Sequence, residues 1–411
     1  MKKSLAMGLA TAMTMAAGTA AHAATFASAP IAPEQGLGGL TRAVAREFTG
    51  RAVFAQPWAT VTLSHLDLYD RVPYVESRQF QIVSDPTWNR LVAGEIGHGL
   101  VAYDGAGDAS LSGAGGAGPR RLKSPHGLAV DERDRVYVAD TGNDRILVLQ
   151  AHTEFEQITF TPLYAIDGLS APYDVAYSDG GTPFDAGDDA IVVANTGRNE
   201  IVAYALEGNG ARRTAALGAL GSGDGEFAGP TAVAFGREAG ANTGTVYVAD
   251  AHNRRIAQVT LRGGALRWSG AAEAGADVVT SLDTDHWGNV YAAAPQQGLV
   301  RKFNRALQPV AELRGAVARP RSFRIPFTTV RDHRDGSVTR RGQASALSLD
   351  TWADDRGLAL WNLGVSVEQL AITGGAAPSA QFVLTDPADV AIEVTNTATG
   401  QVVGRRTLGT L

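Results

Sequence analysis

The chain of 411 residues contains no cysteine. Disulfides, thiolate-held zinc, cysteine nucleophiles and a lipid-modified N-terminal cysteine are excluded together. Lysine is nearly absent too: of 36 Lys and Arg residues only Lys2, Lys3, Lys123 and Lys302 are lysines. Schiff-base or lysine-nucleophile chemistry has almost nothing to work with. Charged residues make up 19%, against about 25% in an average soluble protein. The net charge is −6, which argues against a nucleic-acid partner, because such partners need a basic face. Beyond the N-terminus no run of 18 apolar residues occurs, so no transmembrane segment is expected.

What is plentiful is glycine, at 48 residues, within a composition that is 45% hydrophobic. That is too apolar for an acidic disordered chain. So many glycines imply many tight turns, hence an all-β protein. The N-terminus reads differently. Lys2 and Lys3 precede an apolar stretch from Leu5 to Ala17, and Ala21-His22-Ala23 fits a cleavage site. Residues 1–23 are read as a secretory signal peptide, so the expected location is secreted, periplasmic or extracellular.

Repetition dominates the rest. Ser124 to Gln150 reads SPHGLAVDERDRVYVADTGNDRILVLQ, three short strands separated by polar turns. Pro230 to Leu261 and Pro172 to Leu206 repeat it closely, and Asp277 to Asn304 repeats it more weakly. Phe80 to Asp104 and Ala346 to Ile372 read as two further copies. A marker position then runs Glu95, Asp140, Asn195, Asp250, Ala294, Asn362. Small sheets of this kind bury both faces only by packing side by side, and radial closure satisfies them all. The expectation is a six-bladed β-propeller over 80–373, with glycine-rich links such as Gly105 to Gly118 and Gly218 to Gly229. Residues 24–79 form an N-terminal extension whose TVTLSHLDLYD segment is a candidate ring-closing strand.

The pattern P-x-G-[LV]-A-V-D followed by V-Y-V-A-D-x-x-N-x-R-I resembles the NHL repeat, which Ser124 to Gln150 matches almost letter for letter. The resemblance implies the fold; members serve as binding modules and as lyases or lactonases. The segment 376–411, with Asp386-Pro387, VAIEVTN and a TGQVV turn, resembles the opening half of the immunoglobulin-like module of flagellar-hook-capping and sorting domains. That likeness implies surface attachment through the C-terminal segment.

Propeller geometry places the residue before each GLAVD strand, and the turn between second and third strands, around one end of the channel. The candidate ligand-binding residues are therefore His126, Tyr173 and Thr231, with Val278 and Ser345 as further equivalents. Glu95, His98, Asp140, Asn195, Asp250 and His252 form a second ring. The amidating lyases of this repeat class hold zinc with three histidines from Pro-His pairs, and only Pro125-His126 keeps such a pair here. A divalent ion such as calcium, as in gluconolactonase-like propellers, would use Glu95, Asp140, Asn195 and Asp250. The competing reading of D-x-x-N-x-R is structural: the acid caps turn N–H groups and pairs with the arginine. The arginine-rich stretch Arg319 to Arg341 reads as a solvated loop, or as a local anion site for an acidic glycan or polyphosphate. No catalytic motif stands out and no cofactor is required. The leading expectation is a secreted, non-enzymatic propeller that binds a protein, peptide or glycan; the alternative is a metal-dependent lyase or lactonase.

Overall fold

The computed structural model describes residues 56–63, 65–68, 80–95, 100–103, 116, 118, 120–154, 157–238, 241–285, 288–314 and 319–325. Beyond these it describes the strands within 327–410. The chain divides into a large unit, Ser28–Asn362, and a second unit that includes Leu363–Leu411.

Five antiparallel four-stranded sheets form the blades of the large unit. Blade 1 has strands Thr60–Leu63, Phe80–Asp85, Arg90–Glu95 and Leu100–Tyr103; blade 2 has Pro125–Val130, Arg135–Asp140, Arg145–Glu154 and Gln157–Ile166. Blade 3 has Pro172–Ser178, Ala190–Asn195, Glu200–Glu207 and Gly210–Leu217; blade 4 has Pro230–Glu238, Ala241–Asp250, Arg255–Arg262 and Ala265–Glu273. Blade 5 has Ser281–Thr284, Val290–Ala294, Leu299–Phe303 and Pro309–Arg314.

Among the described residues the expected sixth blade is not formed, and the propeller has five blades. Its segment makes only a three-stranded sheet, Pro320–Arg324, Ser345–Thr351 and Arg356–Asn362. The reason lies in the pairing. A hairpin, Phe327–Asp332 with Val338–Gly342, is inserted after its first strand and pairs in parallel with His65–Leu68. The next strand, Val367–Thr373, pairs with Ser379–Leu384 in a separate two-stranded sheet and adds no fourth strand. The candidate ring-closing segment is likewise divided: Thr60–Leu63 pairs with Phe80–Asp85 inside blade 1. The second unit holds that Val367–Thr373 hairpin and another, Asp389–Thr395 with Val402–Thr410.

The second strands read as nearly unbroken apolar runs because both of their faces are buried. In blade 2, Val136 and Val138 face a core shared with blade 1, while Tyr137 and Ala139 face the core shared with blade 3. Blade 3 repeats this with Ile191 and Val193 on one side and Val192 and Ala194 on the other. Blades 2, 3 and 4 are thus each clamped between two cores. Burying one such Val or Tyr contributes about 1.5–3 kcal/mol before entropy is counted.

The turns are equally regular. A short turn links second and third strands in every blade, 3-10 in blades 1, 2, 3 and 5, and closes on a residue in the left-handed region. Asn89, Asp144, Asn199, Arg254 and Gly298 take φ between 52° and 56° there. Asn and Asp adopt that conformation at low cost, which explains their recurrence.

Candidate functional site

Register fixes which residues are equivalent. Pro125 pairs with Asp140, Pro172 with Asn195 and Pro230 with Asp250, and a bulge follows each proline. His126, Tyr173 and Thr231 follow directly on those prolines and are half-buried at the start of the innermost strands. In blade 5, Ser281 pairs with Ala293, so Thr280 takes this position rather than Val278. In the three-stranded sheet Pro320 pairs with Asp350, and Arg321 takes it rather than Ser345.

Hydroxyl groups carry this end of the propeller from one sheet to the next. Ser84 Oγ donates to the His126 carbonyl at 2.6 Å, and Thr141 Oγ1 to the Pro172 carbonyl at 2.6 Å. Thr196 Oγ1 donates to Pro230, Thr231 Oγ1 to Val279, and Thr280 Oγ1 to Arg321, at 2.6–2.7 Å. Thr231 is therefore both a mouth residue and a link between blades.

On the other side of the mouth the rings gather. His126 and Tyr173 stack with centroids 4.2 Å apart and planes 25° from parallel. Trp58, just before the first strand of blade 1, stands edge-on to His126 at 4.7 Å and to Tyr173 at 5.3 Å. The Arg321 guanidinium lies over Trp58, 4.1 Å from the ring centroid. Trp58 was not among the sequence candidates, and Arg321 entered only within the Arg319 to Arg341 stretch read as a solvated loop or an anion site. A signal for Arg321 existed: Pro320-Arg321 repeats the pairs Pro125-His126, Pro172-Tyr173 and Pro230-Thr231.

The electrostatics follow from burial. Desolvation pushes the His126 imidazole down to about 4, against the Ser124 carbonyl and with help from the Arg321 charge. Its Nδ1 lies 2.8 Å from the Ser124 carbonyl and 2.9 Å from Thr141 Oγ1, so Nδ1 carries the proton and donates to Ser124. Burial raises the Tyr173 hydroxyl, opposed by Arg321. Burial also pulls the Arg321 guanidinium below its usual value, with Tyr173 opposing and Arg319 assisting.

The second ring is a set of turn clamps. Asp140 accepts the Lys123 N–H at 2.6 Å, Asn143 Nδ2 at 2.8 Å and Arg145 Nε at 2.8 Å. Arg145 reaches on to the carbonyls of Gly118 and Arg121. Asp250 repeats this with Ala228, Asn253 and Arg255. In blade 3 the polarity is inverted: Asn195 accepts the Ser170 N–H and donates to Glu200. The acid has become an amide where the arginine has become a glutamate.

Blade 1 corrects the alignment. Asp85, not Glu95, occupies the Asp140 position: it accepts the Gln56 N–H at 3.0 Å and faces Arg90. Glu95 pairs with Phe80 at the far end of the third strand. Asn362, likewise, pairs with Ser345 at the far end of its strand. His98 lies outside the described residues. His252 is exposed in the Asp250–Arg255 turn, its N–H bonded to the Ala228 carbonyl. The structure brings His126 and Tyr173 together and leaves Glu95 and His252 apart from them.

This donor set does not fit a divalent ion. The Asp140 and Asp250 carboxylates are spent on N–H donors, Asn195 turns its amide to Glu200, and Glu95 is at the wrong end of its strand. Among the described residues no group of three or more His, Asp or Glu residues could hold a metal ion, and no helix is long and apolar enough to cross a membrane.

Next along the inner strands from the mouth lies a second set of charges. Asp174 accepts the Val233 N–H at 3.0 Å, and Arg324 Nη2 stands 3.7 Å from its other oxygen. Arg237 faces Asp283 at 3.5 Å, and Asp283 accepts the Ile325 N–H at 2.7 Å. Burial pushes the Asp174 carboxyl up to about 6, against Arg324 and two backbone N–H groups, with Asp283 adding to the rise.

The NHL repeat family model matches residues 122–149. No curated protein matches the sequence. Among solved structures, a gluconolactonase from Xanthomonas campestris is similar with TM-score 0.44 and 14% identity, covering 84% of this chain and 98% of that one. Virginiamycin B lyase from Staphylococcus aureus is similar with TM-score 0.41 and 11% identity, covering 74% of this chain and 83% of that one. The fold is an all-β propeller, and its second blade carries an NHL repeat.

Proposed function

We propose that this NHL-type propeller is an exported, non-enzymatic binding module that seats a protein, peptide or glycan at the channel mouth. One observation carries the reading. The sheets place unlike residues at one structural position: His126, Tyr173, Thr231, Thr280 and Arg321, with Trp58 beside them. All are half-buried, while the inner-strand residues that follow them are buried. The structural clamps, by contrast, reuse an Asp–Arg pair in blades 1, 2 and 4. Aromatic faces with a cation and hydroxyls are the side-chain set that recognition surfaces favour. Export rests on the signal-like residues 1–23 and surface attachment on the C-terminal segment.

The test is an array of immobilised peptides and glycans probed with the chain and with the double variant His126→Ala/Tyr173→Ala. The expected result is ligand capture that falls about five- to 150-fold in the variant, each lost aromatic contact contributing about 0.5–1.5 kcal/mol. Affinity is compared well below the variant's melting temperature, because truncating two stacked, half-buried rings also removes packing. Unchanged affinity, or no capture by the unaltered chain, overturns the assignment.

A further inference from the structure

Arg321 differs from the clamp arginines in lacking an acid among the described residues. Arg90, Arg145 and Arg255 each face the acid of their own blade, Asp85, Asp140 and Asp250. Arg324, three residues on, faces Asp174. Arg321 has no acid within ion-pair distance among the described residues, and its Nε is buried without a hydrogen-bond partner. A guanidinium presents five N–H donors in a fork matched to a carboxylate. Leaving one partly buried and unpaired costs free energy that a ligand carboxylate recovers. The Trp58 face holds it from behind, and Tyr173 lies close enough for its hydroxyl to feel the charge.

Resting on the reading of the mouth as the ligand site, we infer that it captures the carboxyl end of a peptide chain. The terminal carboxylate would pair with Arg321, and the last side chain would lie against Trp58, Tyr173 and His126. One unpaired guanidinium serves one carboxylate. A polyuronate or other polyanion would meet a chain of net charge −6, which repels it at long range. The half-buried residues converge from the starts of the inner strands, an arrangement that admits a chain end more readily than the middle of a polymer.

Calorimetric titration with N-acetyl-phenylalanine and with its amide tests this. The acid should bind at least about tenfold more tightly than the amide, as expected for a charge-assisted hydrogen bond. Arg321→Gln should reduce the acid to the level of the amide and leave the amide unchanged. If that variant melts early, Arg321→Lys replaces it, and the acid-to-amide ratio should fall about two- to fivefold because the fork is lost. Equal binding of acid and amide by the unaltered chain, or an Arg321→Gln variant that keeps the preference, overturns the carboxylate inference. It leaves the mouth as a ligand site, provided His126→Ala/Tyr173→Ala still weakens both. Tighter binding of glucuronate than of the acid overturns the choice of a peptide. Binding of both probes that ignores the double variant overturns the underlying site assignment instead.

Discussion

The imidazole of His126 and the phenol of Tyr173, from neighbouring blades, stack 4.2 Å apart at the channel mouth. Each occupies a bulge after a proline, so the backbone of each blade turns one side chain toward the axis without breaking the ladder behind it. The contact therefore depends on the spacing of whole blades.

Protonation should oppose that packing. The folded His126 titrates near 4, below its unfolded value of 6.5. Its contribution to stability is fully present above pH 6.5 and is lost as pH falls toward 4, worth about 3 kcal/mol in all. NMR of labelled histidine should show His126 still neutral and protonated on Nδ1 at pH 5.5. An imidazolium signal from His126 at that pH would contradict the assignment.

Asp174 has the opposite sign. Its folded value of about 6 lies above the unfolded 3.8, so its contribution is fully present below pH 3.8 and is lost as pH rises through 6. Replacing it by the isosteric amide removes that slope. The stability of Asp174→Asn relative to the unaltered chain should rise by about 3 kcal/mol between pH 3.5 and pH 7, measured by urea denaturation. A constant difference across that range would show that burial does not hold the carboxyl up.

Gly127 leaves room for the same carboxylate: a β-carbon there would collide with Asp174 Oδ1 and Cα. Gly127→Ala should destabilise by about 1–3 kcal/mol or more, lowering the thermal midpoint, since backbone has to shift. An unchanged midpoint would mean the inner strands of blades 2 and 3 are further apart than described.

The inverted clamp in blade 3 offers a charge-swap test. Asn195→Asp sets a buried acid against Glu200, which now accepts from Asn195 Nδ2 at 2.7 Å. The single change should cost roughly 3–5 kcal/mol. Adding Glu200→Arg rebuilds the Asp140–Arg145 arrangement and should restore most of the loss. Failure of the second change to rescue would show that the two residues are not a pair.

How far the sequence led depends on how local each signal is. The clamp was readable because Asp140, Asn143 and Arg145 lie within six residues, and turn chemistry explains each one. The blade 1 marker was misread because alternating strands look alike: shifting by one strand put Glu95 where Asp85 belongs. Trp58 was hidden in a segment without a repeat period, and Arg321 in an arginine-rich stretch that read as a solvated loop or an unlocalised anion site. The sixth blade was expected from a weak sixth copy of the repeat, Ala346 to Ile372, which cannot show that Val367–Thr373 pairs with Ser379–Leu384. Non-local pairing decided that.

The most direct measurement uses Trp58 as the reporter of the mouth. A ligand captured on the array should change tryptophan emission of the unaltered chain, and Trp58→Phe should abolish that change and weaken binding. An emission change that persists in Trp58→Phe, with affinity unaltered, would place the ligand elsewhere and contradict the account.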